Sequence, residues 1–167
     1  MAEMRGTRVS LCPVDHDNSE ALRAIRRQPN VADWWGPLED DFPFEEPTAN
    51  RLAIVSGGDV VGMVQFTEEN EPDYRNAEVD IFLDTKYHGR GLGTDTLLTL
   101  ARHLIEQRGH HRLVLGANID NARAIRCYEK AGFKRVGVTR LSGRDYRTGE
   151  YGDELFMELV VEPRRSA

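Results

Sequence analysis

The segment Gly89-Arg90-Gly91-Leu92-Gly93-Thr94 places three glycines at alternate positions between two apolar stretches. Before it, residues 77–83 alternate apolar and polar side chains, which is typical of a β-strand. After it, four apolar residues recur at the spacing of one helix face: Leu97, Leu100, Ala101 and Leu104. The order is therefore strand, glycine-rich loop and helix.

A loop of this kind can bind phosphate. Glycine lets backbone N–H groups approach an anion closely, and the helix that follows directs its free amides and positive dipole end at the charge. The same glycines can instead serve only the geometry of a strand-to-helix turn. The segment fits neither the G-x-G-x-x-G dinucleotide loop in its usual context nor a loop ending in Gly-Lys-Ser/Thr.

The loop resembles the pyrophosphate loop R/Q-x-x-G-x-G/A of the GCN5-related N-acetyltransferases (GNAT). Gly91 and Gly93 match that pattern, whereas His88 stands where the family has Arg or Gln. The resemblance implies that acetyl-CoA is the cofactor and that the backbone of this loop holds its pyrophosphate. The loop residues assigned in this way are His88, Gly89, Arg90, Gly91, Leu92, Gly93 and Thr94.

A second match lies in residues 121–133, which also read as an amphipathic helix. Asn121 is a good N-cap, Tyr128 shares a face with Ala124 and Ile125, and Gly132 suits the residue after the helix. On these residues alone, Tyr128 could simply be a core tyrosine. The family resemblance instead implies that Tyr128 faces the thioester sulfur and protonates the departing thiolate. It also implies cofactor contacts at Phe82, Leu83, Asn121, Ala124, Tyr128 and Lys130.

The remaining patterns predict an α/β fold with a mixed sheet. We expect strands at residues 7–11, 52–55, 60–66, 112–116, 134–138 and 154–161, with Ser56 to Asp59 as a hairpin turn. A first helix should start at Asn18 or Ser19, a helical turn should lie at 45–50, and 142–153 should be a hairpin loop. The resemblance implies a single GNAT domain over 1–167, with a mostly antiparallel sheet splayed around an acetyl-CoA cleft and helices on both faces.

Two carboxylates on the strand before the glycine loop are candidates for the chemistry. Glu78 and Asp80 alternate with Ala77, Val79 and Ile81 and so share one face. Carboxylates in mid-sheet are costly unless they are solvated or paired, which favours a wet cleft. A carboxylate can hold a substrate ammonium and accept its proton. The alternative is that both are edge charges or salt-bridge partners of an arginine.

The triplet Trp34-Trp35-Gly36 resembles a segment of aminoglycoside 6′-N-acetyltransferases, a branch of the same superfamily. Adjacent indoles cannot face the same way, so we expect one to be packed and the other to line a surface or a cleft. The alternative is that both are a hydrophobic anchor for the loop between the first two helices. By the resemblance, Asp80 matches an aspartate that binds substrate amines, and Trp34, Trp35, Glu78 and Asp80 contact the substrate. A further acidic residue of that branch would fall near Gly116, where this chain has glycine.

Composition narrows the class of partner. The formal charge is −6, and acidic residues cluster at 39–41, 45–46 and 68–73. These clusters are either solvated loops or a negative field for a cationic substrate. No basic run suits a nucleic acid, and no apolar run suits a membrane span or a secretory leader, so we expect a cytoplasmic monomer or homodimer. Cys12 and Cys127 lack metal-like spacing and should be free thiols; we expect no metal.

Together these observations predict an acetyl-CoA-dependent N-acetyltransferase that works by direct transfer. Asp80, with Glu78 as second candidate, would deprotonate the amine, and Tyr128 would act as the acid. The leading substrate is the 6′-amine of an aminoglycoside, with antibiotic resistance as the implied role. The alternatives are acetylation of a protein N-terminus or another small amine, and a non-catalytic acyl-CoA-binding module. A non-catalytic module would need neither Asp80 nor Tyr128.

Overall fold

The computed structural model describes residues 2–45 and 50–162, and eight strands within these residues form one sheet. The strands are β1 (Met4–Arg5), β2 (Ser10–Pro13), β3 (Arg51–Ser56), β4 (Asp59–Glu69), β5 (Asn76–Leu83), β6 (Arg112–Asn118), β7 (Lys134–Arg144) and β8 (Tyr151–Val160). The helices are α1 (His16–Arg26), α2 (Pro29–Trp35), α3 (Leu92–Glu106) and α4 (Ala122–Lys130). The spatial order of the strands is β1-β2-β3-β4-β5-β6-β8-β7.

The sheet is antiparallel except where β5 meets β6, and this exception creates the cleft. The two strands pair in parallel only through Ala77 with Leu113 and Glu78 with Val114. Beyond these pairs β5 continues to Leu83 on β4, whereas β6 continues to Asn118 on β8. The sheet therefore splays apart between the second half of β5 and β6.

Apolar side chains on the two faces of the sheet form two separate cores. On one face, Leu97, Leu100 and Leu104 of α3 and Ile125 of α4 belong to the larger cluster. On the other face, Leu22 and Ile25 of α1 and Val31 of α2 pack with residues of β3 to β5 that include Ala53, Met63 and Phe82. Burial of these stripes explains why helices cover both faces, as the family resemblance implied.

Most of the predicted elements are confirmed, with adjusted ends. The hairpin between β3 and β4 turns through Gly57 and Gly58, whose φ angles of 58° and 88° are readily available only to glycine. Asn121 caps α4, and Gly132 follows it with φ of 98°. Both cysteines are free thiols. None of the described helices combines the length and apolarity needed to cross a membrane.

Three predictions about local structure need correction. Helix α1 is capped by Asp15, not by Asn18 or Ser19; the Asp15 side chain accepts from the Asn18 N–H, and the Asn18 side chain accepts from the Asp15 N–H. The strand predicted at 7–11 lies at Ser10–Pro13, and a short strand that was not predicted, β1, pairs with it at the edge of the sheet. The predicted loop at 142–153 shrinks to residues 145–150, because β7 and β8 both extend into it.

One predicted element cannot be compared in full. The helical turn expected at 45–50 falls largely on 46–49, which lie outside the described residues.

Candidate active site

A cleft of about 860 Å³ occupies the gap between β5 and β6. Its walls come from helix α2, the second half of β5, the last residues of β6, most of α4, and the end of β7 with the turn that follows it; Gln65 of β4 and Glu154 of β8 add single residues. The glycine loop approaches one end through His88 and Gly93. Trp34, Asp120 and Arg147 line the other end. We refer to these as the cofactor end and the acceptor end.

Free backbone amides define the cofactor end. Helix α3 begins after Gly91, which has φ of 77° and gives no side-chain cap. The first intrahelical bond runs from the Asp95 N–H to the Gly91 carbonyl at 3.0 Å. The amides of the first turn therefore have no partner within the helix, as at any helix start, and the helix dipole favours an anion there. This is the arrangement that a pyrophosphate needs.

Gly93 is the glycine of the loop whose small size is required by packing. A Cβ at this position would lie 2.8 Å from the Cys127 sulfur of α4, closer than such contacts occur. Glycine therefore lets the start of α3 approach α4 directly beside the cleft. Cys127 itself lines the cleft, and burial raises the pKa of its thiol, so it is a poor nucleophile.

The residues assigned to the cofactor fall into three groups. Those that line the main cleft are Phe82, Leu83, His88, Gly93, Asn121, Ala124 and Tyr128. Gly91, Thr94 and Lys130 instead line an adjacent cavity of about 270 Å³ together with Arg8. Gly89, Arg90 and Leu92 line neither cavity. Leu92 is buried in the core, whereas Arg90 is exposed and its guanidinium lies over the Tyr87 ring.

His88, the departure from the family pattern, joins β5 to α4. Its Nε2 lies 3.1 Å from the Leu83 carbonyl, and its Nδ1 is hydrogen-bonded to the Arg123 guanidinium. A neutral ring that donates from Nε2 and accepts at Nδ1 satisfies both contacts. Burial, followed by the Arg123 charge, lowers the pKa of His88, which favours this neutral form. The ring thereby fixes the end of β5 against α4.

Tyr128 lies on α4 between the core and the cleft. The residue is 7% exposed and belongs to the larger core cluster, so it has the packing role that the sequence left open as well as a position on the cleft wall. Burial, together with the nearby Asp80 charge, raises its pKa well above the ordinary value of 10.0. The phenol therefore stays protonated at neutral pH and can serve as a proton donor.

Asp80 lies in the wall of the cleft, and Glu78 does not. The Asp80 side chain is open to the water in the cleft, yet protein surrounds it, and this crowding raises its pKa from the ordinary 3.8. The charges of Glu78 and Glu154 add to the rise. Glu78 is exposed, but it sits where β5 still pairs with β6, before the sheet opens. The structure therefore places only one of the two predicted carboxylates at the cleft.

The sequence reasoning missed Glu154, a second carboxylate of the cleft. It lies on β8 opposite Asn118, two residues along β6 from Gly116. Its carboxylate accepts a hydrogen bond from Ser142 at 2.9 Å. Glu154 thus supplies negative charge close to the position where the resemblance predicted an acidic residue and the chain has glycine. The alternation of β8 indicates that Glu154 faces away from buried Leu155, but it does not show that this face borders the cleft.

The two tryptophans divide as expected. Trp35 packs edge-on against Phe82 with ring centroids 5.0 Å apart and joins the smaller core. Trp34 lies under the guanidinium of Arg147, whose Cζ is 4.4 Å from the ring centroid. Both line the cleft, and each ring lies against a guanidinium: Trp34 against Arg147, and Trp35 against the buried Arg26, whose Cζ is 5.6 Å from the Trp35 centroid.

The acidic clusters do not contribute to the cleft. Their described members line neither cavity. Glu39 pairs with the buried Arg26 at 3.2 Å, and Glu68 bonds to Arg108 and His110. The loop at 68–73 joins β4 to the start of β5, opposite the end of β5 that opens into the cleft. Glu39 and Glu68 therefore have structural partners outside the cleft.

A splayed sheet, a helix N-terminus with free amides, and a carboxylate and a tyrosine on one cleft are the features that the resemblance to acetyl-CoA-dependent acyltransferases predicted. The Acetyltransferase (GNAT) family model matches residues 8–133, and the chain belongs to this family. The chain is an acetyl-CoA-dependent N-acetyltransferase. The α/β architecture and the splayed mixed sheet predicted from the sequence are thereby confirmed.

Similar proteins act on several different amines. The chain is 31% identical over 157 residues to the L-amino acid N-acetyltransferase AaaT of Escherichia coli, covering 84% of this chain and 91% of that protein. It is 25% identical over 148 residues to an aminoglycoside N(6′)-acetyltransferase type 1 of Klebsiella pneumoniae, and this match covers 74% of this chain and 72% of that protein.

A solved structure of AAC(6′)-Ib with paromomycin and acetyl-CoA superposes with a TM-score of 0.74. Its sequence identity to this chain is 24%, and the match covers 95% of this chain and 98% of that one. At this identity the superposition supports the fold alone.

Proposed function

We propose that the chain transfers acetyl directly to the primary amine of a small cationic substrate, with the 6′-amine of an aminoglycoside as the leading candidate. The observation that carries the proposal is the placement of Asp80 and Tyr128 on one cleft whose other end has free helix amides. A module that only bound acyl-CoA would need the amides but neither side chain.

Asp80 activates the amine. A protonated amine has no lone pair, so it must lose a proton before its nitrogen can attack a carbonyl carbon. The Asp80 carboxylate can hold the ammonium group and accept that proton directly or through water. Its raised pKa makes it a better base than an ordinary aspartate, because crowding by protein and the charge of Glu154 both favour the protonated product.

Acetyl-CoA, when bound, supplies the acetyl group as a thioester. The amides at the start of α3 would hold its pyrophosphate, and the free N–H groups and the close approach at Gly93 fit this role. Transfer forms a C–N bond and breaks a C–S bond. One ammonium proton passes to Asp80 before the attack and leaves through the water of the cleft. Tyr128, held in its protonated form by burial, would donate its proton to the departing sulfur, and the second proton that the nitrogen loses as the amide forms would restore the phenol.

The acceptor end supports a cationic substrate. Trp34 offers an aromatic face, and Asp80, Glu154, Asp33 and Asp120 bring carboxylates to the cleft wall. Each exposed carboxylate adds only about 0.2–1 kcal/mol, so several must act together on a substrate with several ammonium groups. The aminoglycoside relative at 25% identity and the Trp-Trp-Gly segment favour this substrate class.

A second candidate is the α-amine of a free amino acid. The relative at 31% identity is an amino acid N-acetyltransferase, and it matches over most of this chain. Arg144 lines the cleft, and its side chain could pair with a substrate carboxylate. Glu154 and Asp120 on the same wall oppose such an anion, which is why we place this candidate second.

An amine panel separates these candidates. The purified chain is mixed with acetyl-CoA and one amine at a time, and the free thiol of CoA is measured. We expect kanamycin- and tobramycin-like substrates to give the highest kcat/KM. A faster reaction with free amino acids or an N-terminal peptide would overturn the aminoglycoside assignment. Absence of thiol release above the amine-free rate with every amine would overturn amine acetylation as a whole.

A further inference from the structure

Arg147, in the turn between β7 and β8, connects three parts of the acceptor end. Its guanidinium donates to both oxygens of Asp145, at 2.6 and 3.0 Å, and to Asp120 at 2.9 Å. The same group lies over the Trp34 ring. Trp34 comes from α2 and Asp120 from the segment before α4, so the side chain bridges elements that are distant in sequence.

The surroundings of this guanidinium are those that proteins use to bind an ammonium ligand. An aromatic face and two carboxylates attract a cation from different sides. Asp145 is buried, and Arg147 lowers its pKa to about 2, so it carries its charge at any physiological pH. Asn118 and the Arg147 N–H also donate to Asp145, which holds the carboxylate in place.

The position of this group matters because it shares the cleft with Asp80. Trp34, Asp120 and Arg147 all line the cavity that Asp80 lines. A substrate with one amine at Asp80 and further ammonium groups along its length would extend toward this end. There it would meet the Asp120 carboxylate, which already has a cationic partner in Arg147.

We propose that Arg147 competes with the outer ammonium groups of a polycationic substrate and so determines specificity. The wild-type chain then binds polycations more weakly than its carboxylates would allow, and removal of Arg147 opens the site to them. This inference rests on the proposed function only in taking the acceptor to be a cationic amine. Arg147 does not touch the reacting atoms, so its removal should not change chemistry at Asp80.

Calorimetry on the full chain saturated with CoA tests the proposal, with tobramycin and spermine as probes. We expect Arg147→Ala to lower the Kd for both about threefold to tenfold, from the summed value of one exposed ion pair and one cation–π contact. Arg147→Lys keeps a cation and should stay near wild type. Arg140→Ala removes an equal charge from β7 outside the cleft and should not change either Kd.

Two further variants separate competition from damage to the turn. If thermal melting shows that Arg147→Ala has lost structure, Arg147→Gln is the variant to use, because glutamine keeps a hydrogen-bond donor for Asp145 without the charge. Arg147→Gln should show the same fall in the Kd for tobramycin and spermine. Asp120→Asn added to Arg147→Ala should remove part of the gain, because it deletes one of the freed carboxylates. Unchanged or weaker polycation binding in Arg147→Gln, with wild-type melting, would overturn the proposal.

This test does not depend on turnover. If the wild-type chain acetylates no polycation but the variants still bind polycations more tightly, the proposed substrate fails and the role of Arg147 stands. If the wild-type chain acetylates aminoglycosides and the variants bind them no better, the proposed substrate stands and the role of Arg147 fails.

Discussion

At the cofactor end of the cleft, the groups that we propose to hold a ligand are mainly backbone N–H groups of one short segment, the end of the glycine loop and the first turn of α3. At the acceptor end they are side chains, and Trp34, Asp80, Arg147 and Glu154 come from four separate parts of the chain. A site made of local backbone needs particular residues at fixed spacing, and so leaves a motif in the sequence. A site made of distant side chains depends on how strands pair and where turns fold back.

The largest expected effect concerns the backbone-built end. Gly91→Glu places a carboxylate where an anion binds, at a residue with φ of 77°. We expect CoA binding by calorimetry, and with it turnover, to fall below detection. Gly58→Glu is the matched control, because Gly58 has φ of 88°, faces open space and lies in the β3–β4 turn. Wild-type CoA affinity in Gly91→Glu would show that the loop does not hold the pyrophosphate.

A smaller effect, on kcat, is expected at Tyr128, where the two ends of the cleft meet. Tyr128→Phe removes the proposed acid and keeps the ring that packs in the core. We expect kcat to fall about 10²-fold or more, the range for a lost general acid, with the Kd for CoA nearly unchanged. Tyr74→Phe removes a phenol that is 74% exposed and should leave both values alone. Equal losses of kcat and CoA affinity would mark Tyr128 as a packing residue.

The smallest expected effect is on the melting temperature of Asp80→Asn, which tests the environment of Asp80 at the acceptor end. Folding raises the pKa of Asp80, so the folded state favours the protonated carboxyl. Its contribution to stability is present below the unfolded pKa and is lost as pH rises through the folded pKa. Asp80→Asn has no carboxyl group to titrate and so avoids that loss. The melting temperature of the variant minus that of wild type should therefore become more positive from acidic to neutral pH.

The control for this melting experiment is Asp73→Asn, a change at an exposed aspartate outside the cleft. It should give a difference from wild type that does not vary with pH in this way. A flat difference for Asp80→Asn as well would mean that the folded protein does not disfavour the Asp80 carboxylate.

The contrast between the two ends also explains what could be predicted. The glycine loop, the Asn121 cap and the β3–β4 hairpin follow from local residues, and the structure has each of them. Strand alternation predicts that Asp80 faces the cleft, but the same rule also predicts this for Glu78. Only the point where β6 leaves β5 separates the two carboxylates, and strand pairing of this kind is not written in the local sequence.

Glu154 and Arg147 could not be assigned to the cleft for the same reason. Glu154 reaches the cleft through the pairing of β8 with β6, and Arg147 through a turn that folds back onto α2. The predicted hairpin loop contained Arg147 but gave no sign that Trp34, more than a hundred residues earlier, would lie beneath it. Long-range contacts of this kind determine the acceptor end and therefore the substrate.

The most direct test of the account is Asp80→Asn, measured for both ends of the cleft in one preparation. We predict that kcat/KM for the best amine of the panel falls about 10²- to 10⁴-fold, the range for a lost general base. The Kd for CoA should stay within about twofold of wild type, because Asp80 contributes nothing to the backbone-built end. Full turnover in this variant, or an equal loss of CoA affinity, would contradict the assignment of Asp80 as the base of the acceptor end.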